Sequence, residues 1–280
     1  MRIGLRLHDS VKLPLEDRLK VVGSQGFKCV HVALSKIFDE KQYSAASALT
    51  PGYAMYLKKQ FADNNLDVAV LGCYLNLAHP DRTRIREIQQ KYEANIRFAS
   101  VLGCGVVGTE TGAPNPEYRY EEACRSKEAL DYFIENLKPV VEYAERMGVL
   151  LAIEPVRKHI VYSPERARAV LDRIASPNLR IILDPVNLLD IDNYEKADDV
   201  IKEAIELLNA EIDVVHIKDF VVEKDSLISV GAGKGMMNYD RIMSFIAKQK
   251  PFIHVTLENT TPETAIWSRE YIENIYRGFI

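Results

Sequence analysis

The sequence predicts an α/β fold of the (β/α)8 barrel class, formed by a single domain that spans residues 1–280. Short apolar runs of strand character recur along the chain, and each is followed by a longer stretch with helical periodicity. Eight such pairs are present, which is the number that closes a parallel barrel. No GxGxxG sequence follows the first run, so a doubly wound dinucleotide-binding sheet is the weaker alternative.

The predicted strands are apolar runs of six to nine residues. Successive residues of a barrel strand point alternately to the interior and to the surrounding helices, so each run also predicts which side chains face inward. In chain order the runs are RIGLRL from Arg2, CVHVAL from Cys29, DVAVLGCYL from Asp67, GVVGTE from Gly105, VLLAIE from Val149, LRIILD from Leu179, IDVVHIK from Ile212 and FIHVTLE from Phe252.

The helical stretches between these runs carry recognisable termini. Thr50 and Ser163 are predicted N-caps, because each precedes a proline that fits the first helical position. Gly103 is predicted to end the helix that follows the third strand. Pro139 is expected to kink or divide the long helix that follows the fourth strand, since proline lacks the N–H that a helix interior uses.

Composition restricts the class of protein. The net charge of -4 and the pI of about 5.9 give no basic footprint for duplex nucleic acid. No apolar run approaches the ~18 residues of a membrane span, and MRIGLRLHDS lacks a signal-peptide hydrophobic region. We therefore expect a cytoplasmic protein with no membrane partner. The cysteines show no CxxC spacing and are predicted to be buried free thiols; they are Cys29, Cys73, Cys104 and Cys124.

Four polar residues lie at or near the C-terminal ends of the last four predicted strands and point inward by parity. They are Glu154, Asp184, His216 and Glu258. Active sites of such barrels form at this end. Three converging carboxylates repel one another without a cation, whereas three carboxylates and an imidazole form a good ligand set for Mn²⁺, Mg²⁺ or Co²⁺. The alternative is four unrelated strand-end residues, each paired with a nearby cation.

Five further residues are candidates for substrate contact. Lys218 shares the inward parity of His216 and either meets a substrate oxygen or forms a salt bridge with a nearby acid. Glu110 ends the fourth strand and binds substrate hydroxyls, orients a metal ligand, or belongs to a structural ion pair. His8 ends the first strand, His79 lies in the loop after the third, and Arg157 follows the fifth. Ordinary solvation at the barrel rim is the alternative for these three residues.

Other residues are assigned mainly structural roles. His31 and His254 lie deeper in their strands and are expected to pack in the barrel interior, and Arg6 is expected to pair with an acidic neighbour. The sequence GAGKG after the seventh strand is not a P-loop, because GxxxxGK[ST] is absent. It is interpreted either as an anion-binding loop or as a mobile lid. The single tryptophan, Trp267, is expected to serve packing or an interface.

On its motifs, the chain resembles the xylose isomerase-like TIM barrels, a group of sugar phosphate isomerases and epimerases. Each motif alone is weak, but their order and their placement on successive strands are fairly specific to this group. They are GTETG at 108–112, IEP at 153–155, LDPVN at 183–187, HIKD at 216–219, GAGKG at 231–235 and LEN at 257–259.

The resemblance implies an activity as well as a fold. Glu154, Asp184, His216 and Glu258 would hold one divalent metal ion, with Mn²⁺ preferred and Mg²⁺, Co²⁺ or Zn²⁺ as alternatives. Glu154 and Glu258 would remove and return a proton at the carbon beside the carbonyl of a sugar or sugar phosphate, through an enediolate. Return to the same carbon gives epimerisation, and return to the adjacent carbon gives isomerisation.

One departure from the group concerns Asn187, since ketose epimerases of this group have a histidine three residues after the metal aspartate. Asparagine still forms hydrogen bonds to substrate but takes no charge near neutral pH, so a free-ketohexose 3-epimerase is not the favoured assignment. An inosose-type dehydratase on the same metal site is the main alternative. An abasic-site endonuclease is disfavoured by the six scattered histidines and the net charge of -4. A non-enzymatic sugar-binding protein and a homo-oligomer are further possibilities.

Overall fold

The computed structural model describes residues 1–37 and 46–280, and in this part of the chain parallel strands close into a barrel. The barrel strands are β1 (Arg2–Arg6), β2 (Cys29–Val32), β3 (Asp67–Gly72), β4 (Val106–Glu110), β5 (Leu150–Glu154), β6 (Leu179–Leu183), β7 (Ile212–Ile217) and β10 (His254–Leu257). Each strand pairs with its neighbours in the chain, and β10 pairs with both β7 and β1. The predicted (β/α)8 barrel is confirmed.

Helices alternate with the barrel strands. They are α1 (Leu15–Ser24), α2 (Leu34–Ile37), α3 (Pro51–Asp63), α4 (Arg82–Leu102), α5 (Lys127–Met147), α6 (Pro164–Ile174), α7 (Ala197–Leu208), α8 (Asp240–Gln249) and α9 (Ala265–Arg277). Within the described residues, no helix is both long enough and apolar enough to cross a membrane.

Most of the predicted helix termini are confirmed. Thr50 accepts a hydrogen bond from the Tyr53 N–H at 3.3 Å, and Ser163 accepts one from the Arg166 N–H at 3.4 Å. Gly103 ends α4 in the left-handed conformation, at φ 82°. The expected division at Pro139 is wrong, because α5 runs through it without interruption. Apolar residues on both sides of the proline are buried, and this packing offsets the lost hydrogen bond.

Small and apolar side chains fill the barrel interior. A buried cluster there contains Cys29, Ala69, Val70, Val106, Ala152, Ile182 and Val214. Gly108 has no room for a side chain, since an added Cβ would lie 2.6 Å from Val70 and 2.7 Å from Ile182. Ala152, Ile182 and Val214 precede Glu154, Asp184 and His216 by two residues, so the period of two directs those polar side chains inward above this layer. All four cysteines are buried and free, as predicted.

The loop after β7 contains a hairpin that the sequence did not predict. Strands β8 (Asp219–Glu223) and β9 (Ser226–Val230) pair antiparallel through the two residues Lys224 and Asp225. Both turn residues have positive φ, at 45° and 61°, as the mirror-image turns of two-residue hairpins require. The Asn-Gly pair that usually indicates such a turn is absent here, so the sequence did not predict the hairpin.

Candidate active site

The four candidate metal ligands meet at the C-terminal end of the barrel. Glu154 ends β5, Asp184 follows β6, His216 lies near the end of β7, and Glu258 follows β10. None is more than 4% exposed. The Nδ1 atom of His216 lies 3.4 Å from Glu154 Oε1 and 3.2 Å from Glu258 Oε1. Ligand atoms of Glu154, Asp184 and His216 lie within 4.8 Å of one another, so the structure brings the predicted set together.

The turn after β6 explains the sequence LDPVN. Asp184 Oδ1 accepts the Val186 N–H at 2.9 Å and the Asn187 N–H at 3.2 Å, so the aspartate caps its own turn. Pro185 begins this turn at φ -58°, which its ring favours. The second oxygen, Oδ2, lies 2.9 Å from the ammonium of Lys218. One aspartate therefore shapes the loop and also presents an oxygen to the site.

Lys218 lies inside the carboxylate cluster. Its Nζ is 2.9 Å from Asp184 Oδ2 and 3.3 Å from Glu258 Oε2, and it donates to Asn187 Oδ1 at 2.7 Å. Burial acts to lower the lysine pKa, but Asp184 and Glu258 outweigh burial and raise it. The salt bridge that the sequence left open is therefore present. Since Lys218 also lines the cavity described below, it remains a candidate for substrate contact.

Carboxylates and cations lie close together in the cluster, and they shift one another's pKa values. Burial acts to lower the pKa of His216, but Glu154 and Glu258 outweigh it and raise that pKa to about 9. Burial raises the pKa of Asp184. For Glu258, burial is outweighed by the charges of His216 and Lys218, which hold its pKa below the usual range. The imidazole thus takes up a proton between two carboxylates, and a divalent cation would release that proton on binding.

The donor set fits a divalent metal ion. Nδ1 of His216 faces the two glutamates, and Nε2 has no hydrogen-bond partner among residues 1–37 and 46–280, so neither nitrogen is committed elsewhere. Carboxylate oxygens and imidazole nitrogen together suit Mn²⁺, Mg²⁺, Co²⁺ or Zn²⁺. Lys218 and Arg6, whose Nη1 lies 3.4 Å from Glu258 Oε2, balance two of the three buried carboxylates. The third is balanced by the imidazole proton, and a metal ion would take its place. Arg6 pairs with Asp9 as well, at 2.9 Å, as predicted for an acidic neighbour.

A cavity of about 270 Å³ opens onto this cluster. Four of the candidate substrate contacts line it, namely His8, Glu110, Asn187 and Lys218. Five lining residues were not selected from the sequence as site residues: Arg6, His31, Ala33, Lys36 and Tyr74. His31 is fully buried, as expected, but it also belongs to the site. Its ring stacks on His216 with centroids 5.1 Å apart, and its Nε2 lies 3.1 Å from the Tyr74 hydroxyl.

Glu110 forms the wall of the cavity beside Glu154, its register partner on β5. Burial, together with the charges of Glu154 and Glu258, raises the pKa of Glu110 to about 7. Its Oε2 accepts a hydrogen bond from the Tyr118 hydroxyl at 3.3 Å. His159 lies 3.8 Å away, but burial lowers its pKa to about 4, so this histidine is neutral at pH 7. This histidine therefore gives Glu110 no charged partner at pH 7, and the substrate-binding and metal-orienting roles of Glu110 stay predictions.

Two predicted contacts lie outside the cavity. His79 accepts the Asp81 N–H on Nδ1 at 3.1 Å, and its carbonyl accepts the Tyr132 hydroxyl, so it shapes its own loop. Arg157 donates to Asp190 at 2.6 Å and lines a neighbouring cavity of about 320 Å³. Asn187 lines both cavities and forms part of the wall between them. The structure thus does not bring His79 and Arg157 to the four candidate metal ligands.

His254 is not an interior packing residue. It is the first residue of β10, and its Nε2 lies 3.1 Å from Asp67 at the N-terminal end of the barrel, where its side chain is 29% exposed. The predicted run began two residues earlier, at Phe252. Because the strand begins later than expected, His254 sits at the end of the barrel opposite the cluster.

The glycines of GAGKG have structural roles. The Gly233 N–H donates to Asp219 Oδ2 at 3.0 Å, and the Met237 N–H donates to Asp219 Oδ1 at 2.8 Å. At Gly235, an added Cβ would lie 2.1 Å from the Phe220 carbonyl oxygen. Asp219 thus occupies backbone N–H groups that an anion would need, and it fastens the loop to β8. The anion-binding interpretation is not supported, and a freely mobile lid does not match these contacts.

Trp267 packs against the same loop. Lys234 Nζ lies 3.5 Å from the centre of its ring, and Tyr271 stacks on it at 5.2 Å. Trp267 thus packs on one face, while 43% of the residue is exposed, and the interface role stays a prediction.

Comparison with protein families finds a match over residues 19–275 to the family described as xylose isomerase-like TIM barrel. Among curated proteins, no match is found. A solved D-tagatose 3-epimerase-like protein is 19% identical, with a TM-score of 0.76 over 100% of this chain and 98% of that chain. The IOLI protein with a binding zinc atom is 16% identical, with a TM-score of 0.72 over 100% and 99%.

A third solved structure is the probable 3-DHS dehydratase AsbF from Bacillus anthracis. It is 14% identical, with a TM-score of 0.72 over 98% of each chain. At such identities these structures establish the shared fold, whereas the family match extends over nearly the whole chain. The chain belongs to the xylose isomerase-like TIM barrel family.

Proposed function

We propose that this protein is a divalent-metal-dependent isomerase or epimerase of a sugar or sugar phosphate, which transfers a proton through an enediolate. The observation that carries the proposal is the buried cluster of Glu154, Asp184, His216 and Glu258 beside a cavity of about 270 Å³. Protonated His216 helps Lys218 and Arg6 to balance three buried carboxylates, and a divalent cation would replace the imidazole proton in that role. Proton transfer beside a carbonyl needs positioned carboxylates.

Each residue then has a role. Glu154, Asp184, His216 and Glu258 would hold the metal, which when bound supplies Lewis-acid stabilisation of the substrate oxygens beside the reacting carbon. Glu154 and Glu258 both contact His216 Nδ1 and both line the cavity. One of them removes the proton and the other returns it. Lys218 lines the same cavity, and its ammonium neutralises negative charge that develops on a substrate oxygen.

The comparisons support this proposal at the level of the family. One similar structure carries the description D-tagatose 3-epimerase-like, and another holds zinc. We further propose one domain over residues 1–280, a cytoplasmic location, a small-molecule substrate with no nucleic-acid partner, and a homo-oligomer. The preferred metal remains Mn²⁺, with Mg²⁺, Co²⁺ and Zn²⁺ as alternatives.

A dehydratase is the second candidate, and Glu110 favours it. Burial raises the pKa of Glu110 and so favours its protonated form. This residue lines the cavity, and in that form it would offer a proton to a departing hydroxyl group. A probable 3-DHS dehydratase, AsbF, is also among the similar structures. Detection by NMR of a product that lacks one molecule of water relative to the substrate would separate this reaction from isomerisation.

The direct test is proton exchange in D₂O. The wild-type protein with Mn²⁺ should incorporate deuterium at the carbon beside the carbonyl of at least one sugar in a panel of ketoses and ketose phosphates. Glu154→Gln and Glu258→Gln should each lower the rate by about 10²–10⁴-fold, because each removes one acid–base group.

Glu142→Gln, at an exposed position on α5, is the control and should leave the rate unchanged. Unchanged exchange in both site variants with metal still bound would contradict the two-carboxylate mechanism.

A further inference from the structure

We propose that Asn187 is a positioning residue, which holds Glu154 and Lys218 in a fixed relation before substrate arrives, and that it is not a ligand of the sugar. The inference rests on the proposed function, because Glu154 is there an acid–base group. It replaces the substrate contact that the sequence predicted for Asn187.

The side-chain amide of Asn187 is committed at both ends. Its Nδ2 donates to Glu154 Oε1 at 2.7 Å, and its Oδ1 accepts from Lys218 Nζ at 2.7 Å. Both partners are charged, and hydrogen bonds to charged groups are the stronger ones. The charges also fix the orientation of the amide, since a flip would place NH₂ against the ammonium and oxygen against the carboxylate.

The backbone of Asn187 is fastened as well. Its N–H donates to Asp184 Oδ1 at 3.2 Å, and its carbonyl accepts the Arg157 N–H at 2.7 Å. The residue lies within the single 3-10 turn Val186–Leu188. With main chain and side chain both bonded, the amide cannot turn toward a substrate without breaking a contact to a buried charge.

The bridge links the two halves of the cluster. Glu154 Oε1 also lies 3.4 Å from His216 Nδ1, and Lys218 also contacts Asp184 and Glu258. A neutral amide makes this link without adding charge, whereas a fourth carboxylate would repel Glu154. Asn187 thus sets the position of one oxygen of Glu154 relative to Lys218, as residues behind metal ligands commonly do.

The chain offers a closely matched control in the same loop. Asn193 also uses both ends of its amide, accepting the Asp190 N–H at 2.7 Å and donating to the Leu188 carbonyl at 3.0 Å. Neither partner is a side chain of the cluster. Asn193→Ala therefore removes an equally bonded asparagine without touching Glu154 or Lys218.

The experiment compares Asn187→Asp, Asn187→Ala and Asn193→Ala. Asn187→Asp is isosteric and keeps an acceptor for Lys218, but it loses the donor to Glu154 and introduces repulsion. Two quantities are measured: the dissociation constant of Mn²⁺ alone, with its EPR spectrum, and kcat and KM for the ketose that exchanges fastest. Circular dichroism establishes which variants fold. If Asn187→Ala does not fold, the comparison is made with Asn187→Asp alone.

We expect both Asn187 variants to weaken Mn²⁺ binding and to lower kcat by about 10- to 100-fold, with KM within about two-fold of wild type. Asn193→Ala should change neither. A raised KM at unchanged kcat, or a Mn²⁺ affinity equal to that of Asn193→Ala, would overturn the inference. If the wild-type protein exchanges no proton with any sugar, the proposed function fails, while the Mn²⁺ measurement still decides the role of Asn187.

Discussion

The two ends of the barrel carry similar charged groups in opposite surroundings. At the N-terminal end, the side chains of Arg2, Asp67 and His254 are 42%, 44% and 29% exposed and satisfy one another. At the C-terminal end, no side chain of Glu154, Asp184, His216, Lys218 or Glu258 is more than 7% exposed. Water compensates charge at the first end, while only the internal cations do so at the second. Burial, rather than the types of residue, distinguishes the candidate site.

Cavity size does not indicate which end of the barrel holds the candidate site. The larger cavity, of about 730 Å³, lies at the N-terminal end and includes Arg2, Asp67 and His254. The smaller one, of about 270 Å³, opens onto the buried cluster. Since the ion cluster of the larger cavity is already balanced and solvated, we place the chemistry at the smaller one.

Removing one cation from each end should expose the difference most strongly. In metal-free protein, Lys218→Met leaves buried carboxylates without their ammonium and should lower the free energy of unfolding by about 3 kcal/mol or more. Arg2→Met breaks an exposed pair and should lower it by less than about 1 kcal/mol. Urea unfolding in EDTA measures both. Equal losses would show that burial does not separate the two clusters.

The two ends should also respond to pH with opposite sign, though more weakly. The pKa of Glu110 is raised to about 7 by burial and by Glu154 and Glu258, so its contribution to stability is present below about pH 4.5 and is lost as pH rises through 7. Burial acts to raise the pKa of Asp67, but Arg2 and His254 outweigh burial and lower it. The contribution of Asp67 is therefore present above its unfolded pKa and is lost as pH falls.

Glu110→Gln should therefore weaken the pH dependence of the free energy of unfolding of metal-free protein between about pH 4.5 and 7. The change in free energy across this range should fall by an amount on the order of 1 kcal/mol, after allowance for the partial exposure of Glu110. Asp67→Asn should lower stability above about pH 4, where Asp67 is ionised, by less than about 1 kcal/mol, and this difference from wild type should shrink as pH falls. Thermal melts from about pH 3 to 8 test both variants. If the stability of Glu110→Gln changes with pH as steeply as that of the wild type, the raised pKa of Glu110 is contradicted.

Strand periodicity explains why so much of the site was predictable. Glu154, Asp184 and His216 each follow a small or apolar interior residue by two positions, and a period of two fixes the direction of a strand side chain. Once the barrel was predicted, these residues had to converge. The same rule failed for His254, because it gives direction but does not locate the point at which a strand begins.

Strand periodicity does not predict the direction of side chains in loops. Tyr118 reaches Glu110 from a loop position at φ 56°, a conformation that no local signal predicts for tyrosine. Asn187 was predicted to meet substrate, yet its partners are Glu154, at the end of β5, and Lys218, directly after β7. Side chains in loops are directed by tertiary contacts, and a single sequence does not supply these.

We propose that the cluster of Glu154, Asp184, His216 and Glu258 binds one divalent cation and needs it for proton transfer. The most direct test of this claim is a titration of metal-free protein with Mn²⁺, in which binding and deuterium incorporation from D₂O into the ketose panel are followed together. Exchange should be absent in EDTA, rise in proportion to bound metal and reach its full rate at one equivalent per chain. Full exchange in EDTA, or no stoichiometric binding of Mn²⁺, would contradict the claim.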